Sequence, residues 1–435
     1  MHSILLYCYS LLFGSAALLL RLLAPLHPRL KAQVTARGRV AQLAPRIALE
    51  RARYRHCAVF FCSSAGEFEQ AKPLINMLTA MGSVYIQVIF FSQSGLTFAK
   101  ARGETVPCCL SPITDSATAW GWLFSALRPT FTCVVRHELW PGFLSAAQRF
   151  GQLYLIDASC GQGERHAARK RWVRAYLLQM FHAIYTVGSD DIAFFRDTYG
   201  VAAERLVCTG DTKYDRVLER AGERATQVAQ LRDLFDRWAP SRTSKRMILG
   251  SAYREEVSLW LAALASRSAT QPQWQAVIAP HHLDPEFLDW CQKSCESSGL
   301  TVIRKSRIEL EQPPTPGGAA VILIDCMGIL SEVYGTASAA LVGGALHHQV
   351  HNVLEPACHG LALAFGPAYK NSHEAIHLVE LGLAKVIAST ADFAAWWRSL
   401  DDHNEAMAGN VKKAVTNLAG ASNRIMTAWQ AHLGS

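Results

Sequence analysis

The sequence predicts an α/β protein made of two successive parallel-sheet domains, preceded by a membrane-anchoring helix. Three observations lead there. Short apolar runs alternate with stretches of helical character along nearly the whole chain, as crossover helices alternate with parallel strands. That alternation pauses in a charged, polar segment near residue 240 and then restarts. The excess positive charge lies entirely in the first 55 residues, around the end of an apolar run. A chain of 435 residues is too long for one core, and with 50% apolar and 18% charged residues it is not a disordered one.

The N-terminal element comes first. Residues 4–20 are largely apolar, and Leu22-Leu-Ala-Pro-Leu26 follows Arg21. Spanning a bilayer takes roughly 20 residues, about 17 at the lower limit. Between Arg21 and Arg55 stand nine Lys/Arg against one acid, Glu50, which accounts for the whole net charge of +8. A cleaved signal would carry its basic residues before the apolar run, whereas here they follow it. The positive-inside rule then keeps the body of the protein cytoplasmic, and the collar suits the anionic head groups of inner-membrane lipids. Residues 1–26 thus read as the anchor and 27–56 as a basic juxtamembrane segment; a buried N-terminal helix is the alternative. The body beyond Arg55 is charge-neutral, which argues against nucleic-acid binding. Twelve cysteines lie scattered with no CxxC pair, as expected of free thiols in a reducing compartment.

Strand-like runs then appear at 58–62, 83–91, 131–135, 153–156, 183–187 and 206–209, with helical character at 68–80 and 96–102. Residues 220–246 are charged and helical, ending in the polar Pro240-Ser-Arg-Thr-Ser-Lys245. Further strands follow at 247–250, 277–279, 301–303, 321–324, 340–342 and 362–365, interrupted by an exposed loop at 312–318. This predicts two Rossmann-like domains facing a cleft, at 57–225 and 247–400, with a linker at 226–246. Helices are expected over 401–435, where crossing back to the first domain is one option.

Polar motifs stand where strands end, on the ligand side of such sheets. Ser64-Ala-Gly-Glu67 follows the first strand. Glu67 there could take a proton from a hydroxyl, and it equally fits a capping box with Ser64. Arg136-His-Glu-Leu-Trp-Pro141 offers Glu138 for a sugar or for a structural ion pair. In Thr209-Gly-Asp-Thr-Lys-Tyr-Asp215, Lys213 could meet a phosphate or remain a solvated lysine. In the second half, Pro280-His281-His282 and Asp325-Cys-Met-Gly328 end strands, the latter with Met327 and Gly328 able to edge a base or phosphate. Gly343-Gly344 breaks another strand before His351-Asn352 opens a helical segment carrying Glu355. A strand, a glycine turn and a helix N-terminus make an anion site, and Glu355 could hold a sugar diol; an ordinary tight turn reads the same locally. His347 and His351 are four apart, but the glycine turn argues against a helix carrying both and no carboxylate ligand is obvious, so metal is disfavoured. A basic cluster of Arg165, Arg169, Lys170, Arg171 and Arg174 is either a solvated helix face or a contact for a phosphorylated acceptor or lipid.

Taken in order, these blocks resemble the Kdo transferases of lipopolysaccharide biosynthesis, which move 3-deoxy-D-manno-octulosonic acid from CMP-Kdo to lipid A precursor. The family pattern of a short anchor, SxGE, ELWP, TGxxK(F/Y)D, a P-x-H loop, D-x-MG and GG…HNxLEPA is matched from about residue 57 to 385, with Phe365-Gly-Pro367 continuing it. The resemblance implies a GT-B fold, an inverting mechanism, no metal or other cofactor, and CMP-Kdo and lipid A precursor as partners. It implies that Glu67 is the base for the 6′-hydroxyl of the acceptor, with Ser64, Gly66, Glu138 and Arg165 in acceptor or supporting roles. It places Lys213, Ser251, His281, His282 and Asn352 at the donor, Met327 and Gly328 at the nucleotide edge and Glu355 on the ribose. The first domain becomes the acceptor domain and the second the CMP-sugar donor domain. Three positions depart from the pattern: His281 stands where many relatives have arginine, Ile329 where an acid often follows Met-Gly, and Arg136-His137 before ELWP. The competing readings are another membrane-associated GT-B transferase with a different nucleotide sugar, and a non-catalytic membrane scaffold.

Overall fold

The computed structural model describes residues 2–160, 171–239, 245–267, 274–310 and 320–433. The chain divides into two compact units, Met1–Arg216 with Ala419–Ser435, and Val217–Leu418.

The first unit holds a seven-stranded sheet: β1 (His56–Cys62), β2 (Val84–Phe90), β3 (Cys108–Leu110), β4 (Phe131–Val135), β5 (Gln152–Ala158), β6 (Ala183–Thr186) and β7 (Leu206–Cys208). All pairs are parallel, in the order β3-β2-β1-β4-β5-β6-β7. Helices cover both faces, so β1, β2 and β4 are buried along their whole length and are apolar except for His56, Gln87 and Thr132. The second unit repeats the plan with β8 (Lys245–Ala252), β9 (Trp274–Pro280), β10 (Thr301–Arg304), β11 (Ala320–Leu323), β12 (Ala339–Val342), β13 (Ala362–Phe365) and β14 (Ala384–Val386). Its order is β10-β11-β9-β8-β12-β13-β14, again parallel throughout.

In each sheet the chain fills one side first, with β11 inserting between β9 and β10 in the second, and then crosses to the other side. The direction reverses between β1 and β4 in the first sheet and between β8 and β12 in the second. Loops at the carboxyl ends of those strands diverge there and open the crevice in which ligands bind to such sheets.

The unit boundary departs from the predicted linker. It falls inside the helix Thr212–Glu223, and residues 217–239 join the second unit. The physical reason is buried Arg246, whose guanidinium reaches Asp236 Oδ1 at 2.7 Å and Gln275 Oε1 at 2.5 Å, while Gln275 Nε2 donates to Phe235 O. These bonds tie the helix Ala225–Asp236 to the sheet. At the other end, one helix runs from Thr390 to Leu418, past residue 401, within the second unit. Only the helix Ala421–Leu433 belongs to the first. Its Trp429 is fully buried against Phe131 (4.6 Å between ring centroids), Tyr154 (5.4 Å) and Phe60 (6.3 Å). The residues 240–244 and the loop expected at 312–318 lie outside the described residues.

Three helices precede β1: His2–Leu23, Pro28–Gln42 and Ala44–Arg51. No helix among the described residues is long and apolar enough to cross a membrane. The first helix packs on its own unit, with Tyr9 Oη donating to Asp115 Oδ2 at 3.1 Å. It nevertheless exposes Leu12, Leu18, Leu19 and Leu22, and Leu26 follows at 79% exposed. Part of the basic collar is structural: Arg37 donates to Ser111 Oγ and Phe91 O, both at 2.6 Å, and Arg51 to Leu127 O at 2.9 Å.

Candidate active site

The site of the first unit begins at the reversal between β1 and β4. The helix Ala65–Ala80 starts directly after β1 because Ser64 caps it, Oγ accepting from Glu67 N at 3.3 Å. Glu67 turns back to this N-terminus, but one residue further than a standard capping box. Its carboxylate accepts from the Ser63 backbone N–H and, at 2.9 Å, from Ser63 Oγ, rather than from Ser64 N–H. Capping and catalysis are therefore compatible here, since the carboxylate is held at the mouth of the crevice and only half-buried. Burial raises its pKa above the ordinary carboxylate value, the Ser63 hydrogen bonds oppose this, and the charge of Glu138 adds to the rise. The cap bonds thus do not keep this carboxylate at its ordinary acidity, and the rise makes it a stronger base.

Glu138 comes from the other side of the same reversal, in the loop after β4. It accepts from Trp140 Nε1, and Trp140 packs against Phe91 with ring centroids 4.7 Å apart and the planes tilted by 42°. Pro141 then opens the helix Pro141–Gln148, whose free N–H groups at Gly142 and Phe143 both donate to buried Asp115 at 2.8 Å. His137, Glu138, Leu139, Trp140 and Pro141 line a cavity of about 440 Å³ with Arg174. Gly66 sits exposed on the first turn of the Glu67 helix, and Arg165 lies outside the described residues.

Lys213 occupies the first turn of the helix Thr212–Glu223, after β7. Its N–H donates to Asp211 Oδ1 at 2.8 Å, and Gln70 Nε2, three residues beyond Glu67, reaches the same oxygen at 3.3 Å. Beneath Asp211 lies a fully buried carboxylate, Asp157, at the end of β5. It accepts from Thr212 N at 2.9 Å and Thr212 Oγ1 at 2.5 Å. Arg136 Nη2 closes the group on Asp211 Oδ2 at 3.3 Å. Asp157 (φ 53°) and Arg136 (φ 63°) both hold left-handed backbone, side by side on neighbouring strands. Backbone strain of this kind gathers at functional sites. The motif carrying Lys213 signals Asp211, but Asp157 had no local signature.

In the second unit the reversal lies between β8 and β12. Ser251 forms a bulge at the end of β8 with φ 51°. Gly343 follows β12 and lies so close that a Cβ there would stand 2.2 Å from Ser251 O. Gly344, at φ 91°, turns the chain, and His348 N donates to Gly344 O at 2.8 Å. The histidines are consequently not on one helix. His281, after β9, donates its N–H to Ala252 O at 3.0 Å and stacks on His351 at 4.3 Å between centroids. His282 is beside it at 4.5 Å. Tyr253 joins this group, stacked on His281 at 4.9 Å.

The helix expected to open at His351-Asn352 begins two residues later. It spans Leu354–Cys358, five residues, with Asn352 Oδ1 accepting from Leu354 N at 3.0 Å. So short a helix has too few aligned peptides for a substantial dipole; it ends at Cys358, just before Gly360 turns the chain at φ 76°. Glu355 Oε1 meets Arg220 Nη1 at 3.4 Å, so a ribose would share it with that guanidinium. Met327 is 78% exposed and Gly328 has φ 88°, with Asp325 anchoring the loop through Ser306 N (3.0 Å) and Oγ (2.5 Å).

A carboxylate does approach the histidines: Glu255, Glu256 and His347 bring ligand atoms within 4.8 Å of one another. Glu256, however, spends its oxygens on Tyr253 N and Gly344 N, both at 2.9 Å, and so acts as a helix cap.

The glycine approach gives a test of this geometry. Gly343→Ala is expected to cost about 1–3 kcal/mol by forcing β8 and β12 apart, read as a lower midpoint in urea unfolding. Gly66→Ala, where a Cβ meets nothing nearer than 3.8 Å, should leave that midpoint nearly unchanged.

Two parallel sheets, each with its polar residues at the reversal of strand order, define the GT-B class. The fold is shared with UDP-GlcNAc 2-epimerase from Neisseria meningitidis bound to UDP-GlcNAc (TM-score 0.57, 14% identity, 83% of this chain and 98% of that one). It is shared also with CalG4, the calicheamicin glycosyltransferase (TM-score 0.50, 14% identity, 88% and 99%). Residues 36–216 match the family model of 3-deoxy-D-manno-octulosonic-acid transferase (kdotransferase). The 3-deoxy-D-manno-octulosonic acid transferase of Haemophilus influenzae is 28% identical over 342 residues, covering 76% of this chain and 75% of that protein. That of Aquifex aeolicus is 22% identical over 306 residues, covering 70% and 74%. The chain is a glycosyltransferase similar to the Kdo transferases, through the family model over residues 36–216 and the curated relatives over about three quarters of its length.

Proposed function

We propose that this enzyme transfers Kdo from CMP-Kdo to the 6′-hydroxyl of a lipid A precursor of the lipid IVA type, with inversion and without a metal. The observation that carries the reading is Glu67: a half-buried carboxylate of raised basicity, oriented by Ser63, where the strand order of the first sheet reverses. Glu67 takes the acceptor proton as the hydroxyl oxygen bonds to the anomeric carbon of Kdo. The bond from that carbon to phosphate oxygen breaks, and CMP leaves with the electron pair. Glu138 and the Trp140 side of its cavity orient the acceptor sugar. In the second unit, Ser251, His281, His282 and Asn352 hold the donor phosphate, Met327 and Gly328 edge the base, and Glu355 with Arg220 takes the ribose. Lys213 is the lysine this reading assigns to the charge of the leaving phosphate. Arg165 belongs with the acceptor in this reading.

The same proposal places the enzyme at the cytoplasmic face of the inner membrane. The exposed leucines of the first helix and Leu26, with Arg21 and Lys31 near them, suit a helix lying in the interface rather than spanning it. Leu18→Ser with Leu22→Ser should lower the fraction floating with vesicles that contain anionic lipid; unchanged flotation would count against this attachment.

The function is tested with purified protein, CMP-Kdo and tetraacylated lipid A precursor. CMP release together with a lipid heavier by Kdo is the expected result, and one mass spectrum of that lipid counts the Kdo residues added. Stabilisation by a UDP- or GDP-sugar but not by CMP would instead favour another donor. No stabilisation by any nucleotide would favour a scaffold.

A further inference from the structure

Around Tyr253, at the end of β8, the fold assembles four imidazoles from two separate loops. Tyr253 stacks on His281 (4.9 Å between centroids, 27°) and on His351 (5.7 Å, 13°), and meets the edges of His347 (4.6 Å) and His282 (5.8 Å). Its hydroxyl lies 3.2 Å from His351 Nε2. His281 and His351 stack on each other at 4.3 Å and 22°. This cluster flanks the Gly343-Gly344 turn, since His351 N donates to Gly343 O at 3.2 Å. Arg254, next in the chain, is directed elsewhere, with its guanidinium over Trp290 at 4.7 Å.

We propose that Tyr253, His281 and His351 form an anion seat that takes its positive charge from solution, so that a nucleotide phosphate binds together with a proton. The inference rests on the nucleotide reading of this unit given above.

The physical argument is one of competing charges. Two imidazolium rings stacked at this distance repel, so the pair holds at most one proton comfortably. Burial lowers the pKa of both His281 and His351, and the neighbouring histidines lower them further. Without an anion the seat is therefore largely neutral near pH 7. The remaining groups facing it are Glu255, 3.6 Å from His347 Nδ1, and Glu256, bound to backbone N–H groups. His282 and His348 complete the set. A phosphate reverses the balance by stabilising one imidazolium, with the Tyr253 hydroxyl and the remaining neutral ring as hydrogen-bond partners. Affinity then falls as pH rises, because each binding event must draw a proton from a scarcer supply.

Titration calorimetry with CMP, above pH 7 where its phosphate is already dianionic, tests this directly. Repeating it in two buffers of different ionisation enthalpy should reveal net proton uptake by the wild type. Between pH 7 and 8.5 the Kd should rise, by up to about tenfold per pH unit for one coupled proton. His281→Arg, which supplies permanent charge, should flatten that dependence and keep binding at pH 8.5; His351→Gln should flatten it and weaken binding. Cytidine, lacking the phosphate, should show no proton uptake. If CMP binds with no proton uptake and a pH-independent Kd, the seat is refuted while the nucleotide reading stands. If CMP does not bind at any pH, both fall. Should the variants fail to fold, wild-type proton uptake decides alone.

Discussion

Glu67→Gln is expected to lower kcat/KM roughly 100- to 10,000-fold, the range that removal of a general base produces. Glutamine keeps an oxygen to accept from Ser63 N–H and nearly the same volume, so the helix cap survives and thermal unfolding should change little. The raised pKa of Glu67 gives the prediction a pH signature. A base works only when deprotonated, so wild-type activity should rise with pH along an acid limb set above the ordinary range for glutamate. Glu138 contributes to that rise through its charge. Glu138→Gln should therefore move the acid limb toward lower pH, besides any loss in acceptor binding. The sign for stability is the opposite: a carboxylate whose folded pKa is raised favours the folded state at low pH, and that contribution is lost as pH rises through the folded value. Glu67→Gln should thus gain stability relative to wild type at alkaline pH. Initial rates of CMP release and unfolding curves on the same samples separate the two effects. Normal turnover by Glu67→Gln would remove the assigned base.

Much of this site was legible in the sequence because its residues stand at the ends of apolar runs. A strand buried on both faces reads as an unbroken hydrophobic segment, and polar residues just beyond its carboxyl end have few roles other than turn or ligand. Ser64, Glu67, Glu138 and Gly343 were found that way, whereas Ser251 came only from the family resemblance. The three-residue edge strands β3 and β14 were missed, since Cys108-Cys-Leu110 and Ala384-Lys-Val386 are too short to carry a period. The unit boundary was hidden inside one continuous helix, where nothing in composition changes. What the sequence could least reveal were groupings made by the sheet alone. Tyr253, His281 and His351 come from three segments, and Asp157 meets Thr212 across two parallel crossovers. The short helix at Leu354 shows the opposite failure: a glycine turn before His351-Asn352 looked like a helix dipole, and a helix that stops at Cys358, before Gly360, is too short to make one.

Asp157 yields the second large effect, and it is one of stability. The carboxyl group is wholly buried, and its pKa is pushed up to about 8, first by burial and then by the charge of Asp211. Its hydrogen bonds from Thr212 and the charge of Arg136 work against the rise without cancelling it. The group is consequently protonated at neutral pH, while in the unfolded chain it would ionise near pH 3.9. Between those values the folded state holds a proton that the unfolded state has released. Unfolding then becomes easier as pH rises, by up to about 1.4 kcal/mol per pH unit for one proton. The stabilisation is fully present below the unfolded value and is lost as pH climbs through about 8. Asp157→Asn retains an oxygen for Thr212 N and has nothing to ionise. Its stability should therefore change less steeply between pH 5 and 8 than the wild type's, and it should exceed the wild type at pH 9. Asp157→Leu removes the acceptor as well, leaving Thr212 N buried without its partner, and should cost about 1–3 kcal/mol throughout. Because Thr212 begins the helix that carries Lys213, that loss should extend to turnover, whereas the asparagine variant should stay active. Urea unfolding at pH 5, 7 and 9 discriminates the cases. Parallel pH dependences for wild type and Asp157→Asn would mean that Asp157 is ionised in the folded protein, with Arg136 and Thr212 stabilising the anion instead.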